Sequence, residues 1–362
     1  MTMSQRHALS LHPAQQRSRK RPHTRSRKPY RPALLGTTAL RPCLLAVATA
    51  LFSLPALAAQ TITVGHTTSD SSHYSEGIDA FKATLEELSG GEFTVNEQSS
   101  GALGGERAMI EGLQIGTIDA VVTSTGPLGN FVPETYVLDL PFLFKDYAHA
   151  RCVLDGEVGQ DLLDKIGEHD LVGLAWTENG FRHMTNSQRD INTPEDAQGL
   201  KIRTMENEMH MAAFNEMGVH PTPMAFPELF TALQQGTVDG QENPISVILT
   251  GNLWEVQDRL SLTGHVYSPA IMLASPILWD GLTDEQKGWF MEAAHAGAEA
   301  TRAMVSRLET EGVEELKAKG MTVVEDIDKA QFQAAVEPSY SVYTDEYGSE
   351  MLDRIRASDC GN

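Results

Sequence analysis

Apolar residues recur at helical spacing in two distant stretches: Met109, Ile110 and Leu113 in the first, Leu229, Phe230 and Leu233 in the second. Residues spaced three and four apart line one face of a helix, so both stretches predict amphipathic helices. Each pattern then runs into nearly the same phrase. Leu113-Gln114-Ile115-Gly116-Thr117-Ile118-Asp119-Ala120 returns 120 positions later as Leu233-Gln234-Gln235-Gly236-Thr237-Val238-Asp239-Gly240, with five of eight residues identical. Gly116 and Gly236 fall where each helix should stop, because glycine takes the left-handed cap conformation without a side-chain clash. A short β-branched strand is predicted after each phrase. Two copies of one helix–turn–strand unit, a domain's length apart, predict two related α/β lobes with a cleft between them.

The remaining pattern fills in this outline. Thr61–Val64, Phe93–Val95, Asp119–Thr123 and Leu171–Trp176 read as strands, and a helix runs through Phe81 and Leu85. Ser187–Gly199 is a polar loop in which Thr193-Pro194-Glu195-Asp196 signals a helix start. Lys201–Arg203 is strand-like, and Met205–Met217 is predicted as a helix ended by Gly218. Thr283-Asp284-Glu285-Gln286 caps a long amphipathic stretch reaching about Lys319. Met321–Val324 is a last short strand, and the tail is helical and acidic.

Residues 1–59 stand apart. They hold ten Lys/Arg and no Asp/Glu, then an apolar run from Cys43 to Leu57, then Ala56-Leu57-Ala58-Ala59. A basic segment, an apolar stretch and a small-x-small site predict a secretory signal peptide, with the mature chain starting near Ala59 or Gln60, outside the cytoplasm. Removing those ten basic residues leaves 18 against 49 acidic ones, a net charge of −31 with His neutral. Such a surface excludes nucleic acid and anionic lipid as partners. An anionic ligand would therefore need a local positive exception.

Catalytic chemistry is hard to find. There is no Gly-x-Ser-x-Gly elbow, no His-Glu-x-x-His pair and no Walker loop, so no enzyme activity and no cofactor is predicted. Gly101–Gly105 precedes a helix but lacks any phosphate-loop continuation. Glu168-His169-Asp170 has no second cluster to complete a metal site and reads as surface. Cys152 and Cys360, the only cysteines of the mature chain, either pair or remain two free thiols.

Arg182 and Arg203 are different. Each sits in strand-like apolar sequence, Gly180-Phe181-Arg182-His183-Met184 and Leu200-Lys201-Ile202-Arg203. A guanidinium there needs a partner, either a structural carboxylate or the carboxylate of a ligand.

Three segments in order, Gly199-Leu200-Lys201-Ile202-Arg203, Pro221-Thr222-Pro223-Met224-Ala225-Phe226-Pro227-Glu228 and Val238-Asp239-Gly240-Gln241-Glu242-Asn243-Pro244, resemble the extracytoplasmic solute-binding proteins of TRAP transporters, the DctP-type family. Leu103-Gly104-Gly105-Glu106-Arg107, Leu140-Pro141-Phe142 and Gly180-Phe181-Arg182 support the resemblance, which weakens beyond about Glu325. It implies a two-lobed periplasmic-binding-protein fold with strands crossing between lobes and a long helix spanning both. Residues 60–180 plus about 269–308 would form one lobe, and about 181–268 plus 309–362 the other. It implies a monomeric receptor that binds a small organic acid (a dicarboxylate, sugar acid or hydroxy or oxo acid) and delivers it to a TRAP membrane permease. Arg203 would grip the ligand carboxylate, with Arg182 contributing, Asn243 reaching in from a strand end and Phe226 lining the pocket. Ser124 and Thr125 would face the cleft from the first lobe, as neutral hydroxyls suited to a plain or hydroxylated acid. Thr67 and His73 are further pocket candidates, with helix capping as their ordinary role. A receptor reporting to a signalling partner, or an enzyme on a similar scaffold, are the alternatives.

Overall fold

Nine strands form one continuous sheet, and two of them run through both of its halves. The strands are β1 (Gln60–Gly65), β2 (Phe93–Gln98), β3 (Ala120–Ser124), β4 (Val172–Asn186), β5 (Lys201–Thr204), β6 (His220–Pro223), β7 (Gly240–Pro244), β8 (Arg259–Ala274) and β9 (Thr322–Val324). A computed structural model describes residues 59–360. The predicted leader therefore lies outside the described residues, apart from Ala59.

The sheet order is β2-β1-β3-β8-β4-β7-β5-β6, with β9 beside β8. Read from the two edges inward, it is a mirrored pair: β2-β1-β3-β8 and β6-β5-β7-β4. β1 lies parallel to β2 and β3, and β5 lies parallel to β6 and β7. β4 and β8 pair antiparallel along their length, with register shifts at Gly173/Ala175, Glu178/Gly180 and Arg182/Met184. At the middle shift Gly180 has φ +118°, and a Cβ there would lie 3.0 Å from the Tyr147 hydroxyl. Only glycine fits that bend.

The repeated phrase has a repeated structural job. The helices Glu106–Gln114 and Phe226–Gln234, and the strands β3 and β7, are each offset by the same 120 residues as the phrase. Gly116 (φ +73°) and Gly236 (φ +67°) take the left-handed turn. The aspartate that follows hooks under the neighbouring strand: Asp119 accepts from the Thr63 amide at 2.8 Å, and Asp239 from the Lys201 amide at 2.8 Å.

Several predicted elements change. The strand after the second phrase is Gly-Gln-Glu-Asn-Pro, wholly buried and without a β-branched residue. Its side chains are held by polar partners, so hydrophobic patterning does not reveal it. Leu171–Trp176 is the front of the long β4, which continues through Arg182. The helix expected from Met205 begins after Asn207, its N-cap, which frees Met205 for the cleft. Thr193-Pro194 opens a single turn, Pro194–Ala197.

The long helix, Asp284–Ala318, starts at the expected Thr283–Gln286 capping box. At 1.5 Å per residue it spans about 50 Å. Phe290, Ala293 and Ala294 pack with β1, β3 and the front of β4, whereas Leu308 and Leu316 pack with the Phe226–Gln234 helix and the start of β8. The tail also reaches both halves. Phe332 and Val336 join the core of Met184, Ile202 and Phe214. Tyr343, Leu352 and Ile355 instead join the core of the helices Tyr147–Asp155 and Glu157–Gly167. Arg354 pairs with Asp161 at 2.6 Å, and Cys360 is disulfide-bonded to Cys152.

Candidate functional site

The C-terminal ends of β1, β3, β5 and β7 converge where the two halves meet, the usual ligand position of open α/β sheets. A cleft lies there whose open space, including the part continuous with solvent, is about 280 Å³. Thr67, Thr68, Tyr74, Glu106 and Ser124 line it from the first half; Arg203, Met205, Phe226, Asn243 and Val247 line it from the second. Asn179, on the crossing strand β4 at its middle bend, completes the wall.

The mirrored sheet explains why these positions meet. Val64–Gly65 pair with β3 as Ile202–Arg203 pair with β7. Thr67 and Met205 therefore each stand two residues beyond an equivalent paired position, Gly65 and Arg203. Glu106 and Phe226 are the first residues of the two equivalent helices. The glycine-rich run ahead of Glu106 is a joint between halves: a Cβ on Gly101 would lie 2.7 Å from Pro227, and one on Gly105 3.2 Å from Ala225.

Arg203 is 1% exposed. Its Nε and Nη2 donate to the Met224 carbonyl at 2.9 and 2.6 Å, and the Phe226 ring lies 6.0 Å from its Cζ. Its Nη1 is buried with no partner, and among the described residues no carboxylate lies within ion-pairing distance. Burial lowers this guanidinium to about 10, so it stays charged at neutral pH.

Arg182 is a contrast. It is wholly buried and ion-paired to Glu242 through Nε and Nη2, so its charge is compensated even though its Nη1, among the described residues, has no hydrogen-bond partner. It also donates to Asn243 Oδ1 at 3.2 Å. Burial by itself would raise Glu242, but Arg182 holds it well below the usual carboxylate range. Arg182 does not line the cavity; it fixes Asn243, which does.

The first half supplies a buried carboxylate. Glu106 Oε1 accepts from Thr123 Oγ1 at 3.1 Å, Ser124 N at 3.1 Å and Ser124 Oγ at 3.3 Å. Behind Thr68 stands His66, whose Nδ1 is 2.9 Å from Thr68 Oγ1 and whose Nε2 is 2.7 Å from Glu97.

Four of the seven predicted site residues, Arg203, Asn243, Phe226 and Ser124, meet on this cavity, as does Thr67. Arg182, Thr125 and His73 do not. Thr125 turns away to donate to Asp139 at 2.7 Å. His73 lies behind the wall with Nε2 3.0 Å from Asn179 Oδ1, and burial lowers it to about 4. Thr68, Tyr74, Glu106, Asn179, Met205 and Val247 were missed. For Glu106 the signal was available: it precedes Phe226 by the repeat length. His169 bonds Glu134 at 3.1 Å, and among the described residues no group of three acidic, His or Cys side chains is set to hold a metal.

Comparison with known proteins agrees with this architecture. The DctP profile, described as bacterial extracellular solute-binding protein, family 7, matches residues 64–346. A solute-binding protein of Verminephrobacter eiseniae is 48% identical over 303 residues, covering 84% of this chain and 90% of its own. A TRAP periplasmic solute-binding protein from Polaromonas sp. JS666, solved with D-erythronate, superposes with TM-score 0.81 at 53% identity over 82% of this chain and 98% of its own. Another from Bordetella, with density interpreted as pantoate, gives TM-score 0.81 at 51% identity over 82% and 99%.

Proposed function

The chain belongs to the DctP family of bacterial extracellular solute-binding proteins, which are receptors and not enzymes, and on that premise we propose that it captures a short hydroxylated monocarboxylate between its lobes. One observation carries the reading: Arg203 is a buried cation at the cavity whose Nη1 has no partner and which has no anion beside it among the described residues. An uncompensated buried charge is costly. A ligand carboxylate would supply both the missing charge and the missing hydrogen-bond acceptor.

The class of acid follows from Glu106, which faces the same cavity from the other half. A second ligand carboxylate would meet its negative charge, whereas a hydroxyl would donate to it. Thr67, Thr68, Ser124, Asn179 and Asn243 offer further hydroxyl and amide partners. D-erythronate and pantoate, the acids of the two similar solved proteins, are both short hydroxylated monocarboxylates. In this reading the lobes close over the acid, water is excluded from the Arg203 pair, and the loaded receptor delivers its ligand to a TRAP-type permease.

The test is a thermal-shift panel on residues 60–362, refolded from denaturant to strip carried-over ligand. D-erythronate or pantoate near a thousand times Kd should add about 4 kcal/mol, a midpoint rise of several degrees. Succinate should give much less. A folded protein that responds to no hydroxy acid would sink the proposal.

A further inference from the structure

One buried polar set lies outside the cavity and ties its two sides together. Asn207, on the second half, is 1% exposed, and Asp139, on the first, is fully buried. Asn207 uses both ends of its amide. Oδ1 accepts from the His210 amide at 2.9 Å and so caps the helix Glu208–Glu216. Nδ2 points the other way, donating to the Gly126 carbonyl at 3.0 Å and to Asp139 Oδ2 at 2.9 Å. The other Asp139 oxygen accepts from Thr125, the side chain that turned away from the ligand cavity.

These contacts flank two lining residues. Ser124 precedes Thr125, Met205 lies two residues before Asn207, and Ser124 Oγ stands 3.2 Å from Met205 Sδ. Asn130 adds a bond across the same seam, donating to the Glu206 carbonyl at 2.7 Å. The His210 ring, 3.9 Å from Asp139 Oδ1, has no partner on either nitrogen, and burial keeps it neutral.

A buried amide and carboxylate are tolerated only when paired. Were the halves to separate, water would take the place of these partners. We propose that Asn207 is a positioning residue for ligand capture: a latch that holds Met205 and Ser124 together over the bound acid and slows its escape. The proposal rests on reading the cavity as an acid site, and it concerns the rate of release, which Arg203 alone does not set.

The double role of Asn207 gives a clean test. Asn207→Ser keeps a helix cap but cannot span to Gly126 and Asp139. Asn207→Asp keeps the cap and sets a second carboxylate against Asp139. With D-erythronate and pantoate as probes, stopped-flow tryptophan fluorescence should show release accelerated about ten- to hundredfold in Asn207→Ser, and more in Asn207→Asp. Association should change less than about threefold, since the latch forms after encounter. Unliganded melting of Asn207→Ser should stay near wild type, which a merely structural role would not predict. Wild-type release rates in Asn207→Ser would overturn the latch while leaving the acid site standing. If wild type binds neither probe, the acid reading fails and the latch, which rests on it, falls with it.

Discussion

Arg182 and Glu242 neutralise each other entirely out of water, with Arg182 Nη2 2.8 Å from Glu242 Oε1 and 2.6 Å from the Glu242 carbonyl. Removing one partner of such a pair strands the other. Arg182→Ala should therefore cost about 3–5 kcal/mol of folding stability. Arg203 has no such partner, so Arg203→Ala should leave the unliganded protein as stable as wild type or more so. Urea unfolding of the two variants decides between the roles; equal losses would mean that Arg203 has a structural anion after all.

Binding should reverse that order. Arg203→Ala is expected to weaken acid binding by about 2–5 kcal/mol, since it leaves the ligand carboxylate buried without its cation. Arg203→Lys should also bind poorly, because an ammonium cannot replace the planar fork that anchors on Met224 and offers Nη1 to the ligand. Titration calorimetry showing less than about a threefold loss for Arg203→Ala, under that range, would take the clamp away from this residue.

Glu106 should act as a filter. In Glu106→Gln the repulsion of a second carboxylate disappears while an acceptor for ligand hydroxyls remains. The preference for D-erythronate over succinate should shrink about tenfold or more, mainly through better succinate binding. Unchanged ratios would assign the selectivity to the hydroxyl and amide groups instead.

Acidification should destabilise the unliganded fold. Burial lowers His73 to about 4 and His183 and His210 to about 3, so all three stay neutral in the native state. The unfolded chain protonates them near their ordinary value of about 6.5. It then binds more protons than the fold, and stability falls as pH drops from about 6.5 toward 4. Asp139 and Glu309, both raised to about 7 by burial, work the other way over the same range. Burial lowers His149 and His265 as well, so five groups work against two. Urea midpoints at pH 7, 6 and 5 should decline, and more steeply in Asp139→Asn; a rise toward pH 5 would contradict the assignment.

The disulfide closes a loop of 208 positions between the helix Tyr147–Asp155 and the tail. Cys152→Ser with Cys360→Ser should lower stability by about 2–5 kcal/mol. Added reductant should bring wild type toward the double variant and leave the variant unmoved, as read by urea midpoints.

Legibility in the sequence followed chemistry. The repeated phrase, the two glycine caps and the long capped helix were readable because each rests on local rules: helical spacing, left-handed glycine and a capping box. β8 went unread, and β4 and β7 were read only in part because their interiors are polar. Glu178, Arg182, Gln241 and Glu242 are buried in them, held by one another and by neighbours rather than by apolar alternation. Arg203 and Asn243 were found through motif resemblance, not through periodicity. Arg182 shows the limit of that route, since sequence could not reveal that its partner is Glu242 across the sheet. Asn207 was hidden for a similar reason, its contacts lying 68 and 81 positions away.

The equivalent helices Glu106–Gln114 and Phe226–Gln234 both open at the cavity, and neither has a side-chain cap. A helix carries about half a positive charge at its first turn. Two such ends point at one small space, but they are not equally available. At the first, the buried carboxylate of Glu106 already answers the dipole. At the second, Phe226 brings no charge, and Glu228 lies exposed to solvent. The duplicated frame thus carries a one-sided field, with its uncompensated positive end on the Arg203 side of the cavity.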